Sequence, residues 1–530
     1  MVTASRRTVL RASATASGLA AGAAFVPTRV GAVPLRRIRR RVVIIGAGFG
    51  GAVAALRLTR AGVPVTILEQ GKRWPSGPDA DTFPRVSDLD RRALFYTSYP
   101  ELFGRRLEVK PYAGLFHATY SENMTIMAGC GWGGGSLTYQ GMTLEPSRAV
   151  FEEEFPAGID YDEMHREHYR TVARMLRLET APDELIDSPN YKVARIFKER
   201  AEEAGFDVEK IPMPINWDFA LRELKGEMAP TYTNGDGAIG VNNGGKHSLD
   251  TNYLRRAERT GLVEARTLHR VTGIRRKRSG DWEVAVDRTD LAGRTKRQLL
   301  ITTPTLIMGA GSAGTTRMLV RAGALDDIPD LPDDLGAGWG SNADRIYLWT
   351  SLTERLGPLQ GGPVVYGSKD WSDPALANTI IQASMPPILL GGSQVDPNST
   401  VLVGYGVSKA RGRFRYHGAD DDVRLHWKKE ADHVIQESRI GPRIEAVAGR
   451  LSILTDTTGI VPSTWHPMGG ANLGSVCDLN GRVKGQRGLY VLDGALLPGS
   501  AAACNPSMTI AALAERAMKR IVRRDVGRII

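Results

Sequence analysis

Residues 41–71 read RVVIIGAGFGGAVAALRLTRAGVPVTILEQG. The β-branched run Val42–Ile45 predicts a buried parallel strand, and Gly46, Gly48 and Gly51 follow it in G-x-G-x-x-G spacing. A helical pattern then runs through Leu58, and a second apolar strand, Val65 to Leu68, ends in Glu69. The three glycines do different things. Gly46 allows a tight turn, Gly48 lets backbone approach a pyrophosphate closely, and Gly51 permits helix–strand contact. Phe49 and Gly50, at the start of the helix, belong to the same cofactor-binding set. The helix N-terminus presents unpaired N–H groups to phosphate. Glu69 is placed to accept both hydroxyls of an adenosine ribose and disfavours a 2′-phosphate, which argues against NADP. On this motif alone FAD and NAD both stay open.

The chain has 530 residues, 42% of them hydrophobic, enough for two or more cored domains. Its 59 glycines and 7% aromatic content suit a loop-rich α/β protein. A net charge of +11 could attract nucleic acid, but no zinc-finger, helix-turn-helix or single-strand-binding pattern accompanies it, so that class is excluded. Much of the excess sits in Arg6, Arg7 and Arg11 and in the cluster from Arg36 to Arg41. Ser5-Arg6-Arg7-Thr8-Val9-Leu10 followed by an Ala/Gly-rich apolar run reads as a twin-arginine signal over residues 1–32, which implies a secreted or extracytoplasmic protein exported folded. Cys130, Cys477 and Cys504 have neither disulfide-framework nor metal-ligand spacing and are expected as buried thiols. His165 and His168 lie about one helical turn apart, yet no motif supplies a converging third ligand, and no metal is expected.

Three further glycine clusters stand out: Gly129 to Gly135 with Ser136, Gly309-Ala-Gly-Ser-Ala-Gly314 after the strand Thr305–Met308, and Gly336 to Gly340 before Asn342. The first is read as backbone closely approaching a flat ligand, with a mobile surface loop as the alternative that the embedded Trp132 and the apolar Met127 and Leu137 argue against. The second lacks an acid at a following strand end and fits a strand returning to the first sheet. From about Tyr347 to Leu451 the pattern alternates, predicting antiparallel strands at 401, 411 and 423. Near the C-terminus, Trp465-His466-Pro-Met-Gly-Gly470 precedes the strand Gly488–Asp493 and then Cys504-Asn505-Pro506, which opens a helix. Asn505 is read as its N-cap, with Pro506 tolerated in the first turn.

Taken together, VVIIGAGFGGAVAALRL, CGWGGGSLTYQGMTLEP, GGKHSLDTNYL, LIMGAGSAGTT, LGAGWGSN, WHPMGG, GLYVLDGALLPGS and CNPSMTIAALAER resemble the glucose–methanol–choline (GMC) FAD oxidoreductases, in particular their bacterial cholesterol oxidases of the non-covalent flavin class. The resemblance implies an α/β fold, with a Rossmann-like FAD-binding domain and an inserted substrate domain built on an antiparallel sheet with helices. It implies FAD-binding segments at 40–75, 125–145, 255–345 and 458–530, and substrate-binding segments at 76–124, 146–254 and 346–457. It resolves the cofactor in favour of FAD, held non-covalently; His117 lies outside the flavin-linking context of covalent relatives. His466 is similar to the active-site histidine and Asn505 to its asparagine partner. Gly129, Gly133, Gly134, Gly135 and Ser136 would pass over the pyrophosphate and isoalloxazine, Met142 would line the flavin pocket, and Val271 would contact adenine. Gly309, Asp493, Pro506 and Ser507 complete the set.

The implied reaction oxidises the 3β-hydroxyl of a sterol, with dioxygen reduced to hydrogen peroxide. The alternative is a dehydrogenase of another bulky hydrophobic alcohol that uses a different acceptor. The implied partners are a hydrophobic alcohol, dioxygen and a lipid surface for sterol uptake, and a monomer is expected. One departure matters. The family's isomerising glutamate precedes an A-P-M-P-like turn; here the stretch is Ile380-Ile381-Gln382-Ala383-Ser384-Met385-Pro386, so the position holds Ile381 or Gln382. Gln382 and Met385 are placed in the substrate pocket, and isomerisation is expected to be impaired because neither Ile nor Gln accepts a proton as carboxylate does.

Overall fold

The structure is a computed structural model that describes residues 33–77, 82–85, 90–96, 101–102, 105–106, 110–383, 397–428, 430–460 and 462–530. The twin-arginine segment and Met385 therefore lie outside the described residues.

The opening motif folds as its pattern predicts. Strand β1 (Val42–Ile45) is buried along its whole length, helix α1 runs Phe49–Arg60, and β2 spans Val65–Leu68. Strand β3 (Val263–Arg266) extends the sheet beyond β2. On the other side β4 (Thr305–Met308) pairs with β1, followed by β5 (Leu489–Val491), giving the all-parallel order β5-β4-β1-β2-β3. Thr305 lies opposite Val42 and Met308 opposite Ile45, so the second glycine cluster meets the first at one sheet edge. Continuous β-branched runs are what a sheet covered on both faces requires, each fully buried side chain contributing about 1.5–3 kcal/mol. Helix α2 (Gly311–Ala324) follows β4, and α3 (Pro506–Asp525) packs on α1, where Arg57 Nε donates to Glu515 at 2.5 Å.

A second layer is antiparallel, in the order Ser452–Asp456, Arg345–Ser351, Ser399–Gly406, Asn378–Ala383, Tyr366–Asp370, Glu209–Lys210. It has its own core, with Trp349, Tyr405, Ile380, Ile440 and Val447. A Rossmann-like cofactor domain with an inserted sheet-and-helix substrate domain is therefore the architecture.

The segment 146–254, read from sequence as substrate-binding, divides between the two cores. Val150, Phe151, Tyr169, Leu176 and Tyr253 pack with the parallel sheet, whereas Leu185, Phe197, Ile215 and Trp217 pack with the antiparallel one. The hairpin Arg413–His417/Asp422–His426 also stands apart from the six-stranded sheet. Its Phe414 and Leu425 pack with Trp339 and Trp427, a cluster that local alternation does not reveal. Among the described residues no helix is long and apolar enough to cross a membrane.

Candidate active site

The cofactor cradle is built from backbone in close contact. Gly46 has φ +97°, and a Cβ there would stand 2.2 Å from the Gly309 carbonyl oxygen. A Cβ on Gly134 would stand 2.6 Å from Gly48 Cα, so the cluster from Gly129 to Ser136 lies directly on the first phosphate loop. Gly50 sits equally close to the carbonyl of Leu492, and Phe49 meets Tyr139 edge-on at 5.8 Å. The glycine cluster is locked rather than mobile. Trp132 is buried beneath the Arg73 guanidinium, and Ser136 Oγ donates to Gly133 O (2.8 Å) and accepts from Leu249 N (3.0 Å). The buried Lys246 ammonium donates to the carbonyls of Leu137 and Tyr139, at 2.8 and 3.0 Å; burial pushes its pKa down to about 7.

Glu69 is buried at the end of β2, with its carboxylate accepting from Ala47 N (3.1 Å) and Gly71 N (2.8 Å). Burial raises its pKa, and those backbone donors oppose the rise. Asp493 is similarly buried: it accepts from Gly311 N, Thr315 Oγ1 and Ala495 N, and burial lifts it to about 6. Val271 is half-buried beside a bulge in the strand His269–Arg276, and Met142 packs with the substrate-domain core.

The residues fit a dinucleotide. Trp132 Nε1, Tyr139 OH and Ser507 Oγ are buried without a hydrogen-bond partner among the described residues, at the glycine loop and at the N-terminus of α3. Each such group costs about 1–3 kcal/mol unless a ligand satisfies it.

His466 and Asn505 come together beside this cradle. Asn505 occupies the N-cap position of α3 in extended conformation, as its place before Pro506 predicts, yet its side chain makes no cap bond. Instead Oδ1 accepts from the buried Tyr405 hydroxyl at 3.0 Å, and Nδ2 lies 3.2 Å from His466 Nε2. Asn505 follows two left-handed alanines, Ala502 (φ +55°) and Ala503 (φ +58°), a costly backbone for residues with a Cβ. Tertiary struts hold it: Thr379 Oγ1 donates to Ala503 O (2.8 Å) and Asn342 Nδ2 to Cys504 O (3.1 Å).

On the far side of the imidazole, Nδ1 lies 2.6 Å from Asp344 Oδ1. Asp344 is buried and also accepts from Thr464 Oγ1 (2.8 Å) and Trp465 N (3.2 Å). An acceptor-only carboxylate at Nδ1 places the neutral imidazole's proton there and leaves the Nε2 lone pair facing Asn505. Sequence reasoning does not single out Asp344, Asn342, Thr379 or Tyr405 as site residues. The one sequence signal is that Asp344 follows the third glycine cluster by a few residues.

Gln382 does not face this site. Along Asn378–Ala383 the faces alternate: Thr379 reaches Ala503, whereas Asn378 bonds Arg443 on the opposite, helix-covered side. Gln382 shares the Asn378 face and donates to Thr400 Oγ1 at 3.0 Å. Ile381 shares the Thr379 face and pairs across the sheet with Val403, two residues before Tyr405. The apolar residue, not the amide, occupies the active-site side.

Glu163, Glu167 and His168 have ligand-like spacing, with Glu163 paired to Arg520 and Glu167 to Lys519; His168 is buried against Glu163 and does not lie on a solvated helix face. All three cysteines are free and buried.

Two family models match the chain: GMC oxidoreductase over residues 410–514 and NAD(P)-binding Rossmann-like domain over 44–92. Together with the cradle they indicate a non-covalently bound FAD. The chain is 28% identical over 552 residues to a cholesterol oxidase of Mycobacterium tuberculosis (strain ATCC 25618 / H37Rv), covering 90% of each. It is 27% identical to a cholesterol oxidase of Acinetobacter baumannii, covering 90% of this chain and 94% of that one. A crystal structure of pyridoxine 4-oxidase from Mesorbium loti superposes with a TM-score of 0.60 at 15% identity, over 91% of this chain and 99% of that chain, a likeness of fold.

Proposed function

We propose that this chain, which belongs to the GMC oxidoreductase superfamily, oxidises the 3β-hydroxyl of a sterol to the ketone and reduces dioxygen to hydrogen peroxide. FAD-dependent oxidation of a CH–OH group is the activity of the superfamily; the sterol is our reading. The observation that carries the chemistry is the chain Asp344–His466–Asn505–Tyr405 at the N-terminus of α3.

When bound, FAD would supply the hydride acceptor and the route for electrons to dioxygen. The protein's own residues handle the proton and the alignment. Asp344 fixes the His466 tautomer, so that Nε2 can take the hydroxyl proton. Tyr405 holds the Asn505 amide by its oxygen, which leaves an N–H of Nδ2 free to position the substrate oxygen. The α3 N-terminus would favour negative charge on a cofactor held against it.

The apolar strand face of Ile381 and Val403 and the names of the curated relatives support a sterol. The carboxylate-free Ile381 supports oxidation with impaired isomerisation. The test is anaerobic flavin bleaching against a panel of sterols and other hydrophobic secondary alcohols, followed by dioxygen uptake beside an artificial acceptor. Bleaching by 3β-hydroxysterols with peroxide release is the expected result. Bleaching only by other alcohols would overturn the sterol reading, and reduced protein that passes electrons to the artificial acceptor but not to dioxygen would make it a dehydrogenase.

A further inference from the structure

Away from the cofactor cradle, Arg177, Arg255, Arg256 and Arg259 converge with His247 and Thr251 on a cavity of about 380 Å³. Several surface arginines of this chain are neutralised, Arg39 by Asp281, Arg148 by Asp162 and Arg321 by Asp421. The four at the cavity are not, and what separates them from other unpaired arginines such as Arg60 and Arg278 is that they line one concavity. Arg177, Arg255 and Arg259 form no ion pair among the described residues, and Arg256 reaches only the Met175 sulfur at 3.0 Å. Glu258, the acid of the short helix Tyr253–Glu258 that carries Arg255 and Arg256, is taken by Arg73. Arg259 is the C-cap residue of that helix, so Arg255 and Arg259 sit about one turn apart at its C-terminal end. Burial and the nearby Arg177 push the His247 imidazole down, so it adds hydrogen-bonding capacity without a fifth charge.

We infer that this cavity is a binding site for a phosphate-bearing ligand, of the size of pyrophosphate or a small organic phosphate. Guanidinium forks match phosphate oxygens bidentately, and several unpaired forks around one concavity suit a polyanion better than a single carboxylate. The site is separate from the dinucleotide cradle but backs onto it. The segment from Lys246 to Leu249 carries His247 to the cavity, while Lys246 and Leu249 on either side of it bond Leu137, Tyr139 and Ser136 of the flavin loop.

The experiment titrates FAD-loaded protein calorimetrically with sodium pyrophosphate and with inorganic phosphate at constant ionic strength, with sodium chloride as control. Loading with FAD keeps the probe out of the cofactor's own phosphate site. Saturable binding at one site is expected, weakened at least about tenfold in Arg255→Ala/Arg259→Ala with the flavin spectrum unchanged. Arg177→Ala, on a different element, should weaken it independently. Co-sedimentation with phosphatidylcholine vesicles, with and without phosphatidic acid, separates a lipid headgroup from a soluble phosphate as the source. No saturable binding to the wild type, or equal affinity in both variants, would overturn the inference.

Discussion

Asp344 Oδ1 lies 2.6 Å from His466 Nδ1, and this contact decides which imidazole nitrogen faces Asn505. Asp344→Asn keeps the shape but replaces an acceptor-only group with one that can donate, so the Nε2 lone pair is no longer assured. The rate of flavin reduction should fall, by up to the roughly 10²-fold expected for loss of the imidazole itself. KM and flavin content should hold. Stopped-flow reduction under anaerobic conditions measures it, and an unchanged rate would leave Asp344 a purely structural residue.

His466→Ala and Asn505→Ala should each slow flavin reduction while the protein stays folded and yellow. General acid–base groups contribute roughly 10²–10⁴-fold, and the low end is expected because water can partly replace the imidazole. Unchanged reduction in both variants would move the site elsewhere.

Glu69→Ala should weaken FAD binding by about 1.5–3 kcal/mol, the contribution of a hydrogen bond to a charged group. It also removes the acceptor for Ala47 N and Gly71 N, so Glu69→Gln, which keeps one acceptor oxygen, should lose less. Equilibrium dialysis of flavin compares them. Denaturation without proteolysis should release free FAD from the wild type; flavin retained on the precipitated chain would show a covalent link.

Lys246 supplies a pH test. Its folded pKa, about 7, lies below the ordinary lysine value of 10.5 because burial penalises the charged form. The penalty is therefore full below about pH 7 and is relieved as pH rises from there towards 10.5, where the unfolded chain still binds the proton. The stability of the wild type relative to Lys246→Met should accordingly rise with pH across that window. Thermal unfolding of both proteins at a series of pH values reads the difference, and a flat difference would mean that the amine is not held in a desolvated, charged-disfavouring site.

With cholesterol as substrate, much of the product should be the 5-en-3-one and not the conjugated 4-en-3-one. Moving the double bond requires a group that lifts and returns a proton, and the strand face at Ile381 offers none. Ile381→Glu should raise the conjugated product, whereas Gln382→Glu, on the far face beside Thr400, should not. Enone absorbance followed against peroxide release separates the two steps; enone forming as fast as peroxide in the wild type would reveal another base.

The sequence by itself settled the cofactor half. Val42–Ile45, the glycine spacing from Gly46 to Gly51, and Glu69 act through neighbours in the chain, so strand, turn, helix and acid could be read in order. That His466 and Asn505 belong together was also legible, each carried by a distinctive local motif, and their side chains lie 3.2 Å apart. Tertiary structure decided the rest. Asp344 meets His466 across 122 positions of sequence, and no local pattern announces such a pair. Asn505 holds the cap position but not the cap bond, because Tyr405 and His466 compete for the same amide and win. The choice between Ile381 and Gln382 turned on strand register, since a shift of one residue exchanges the two faces of a sheet. Only the pairing with Ser399–Gly406, and the contact of Thr379 with Ala503, says which face looks at the active site.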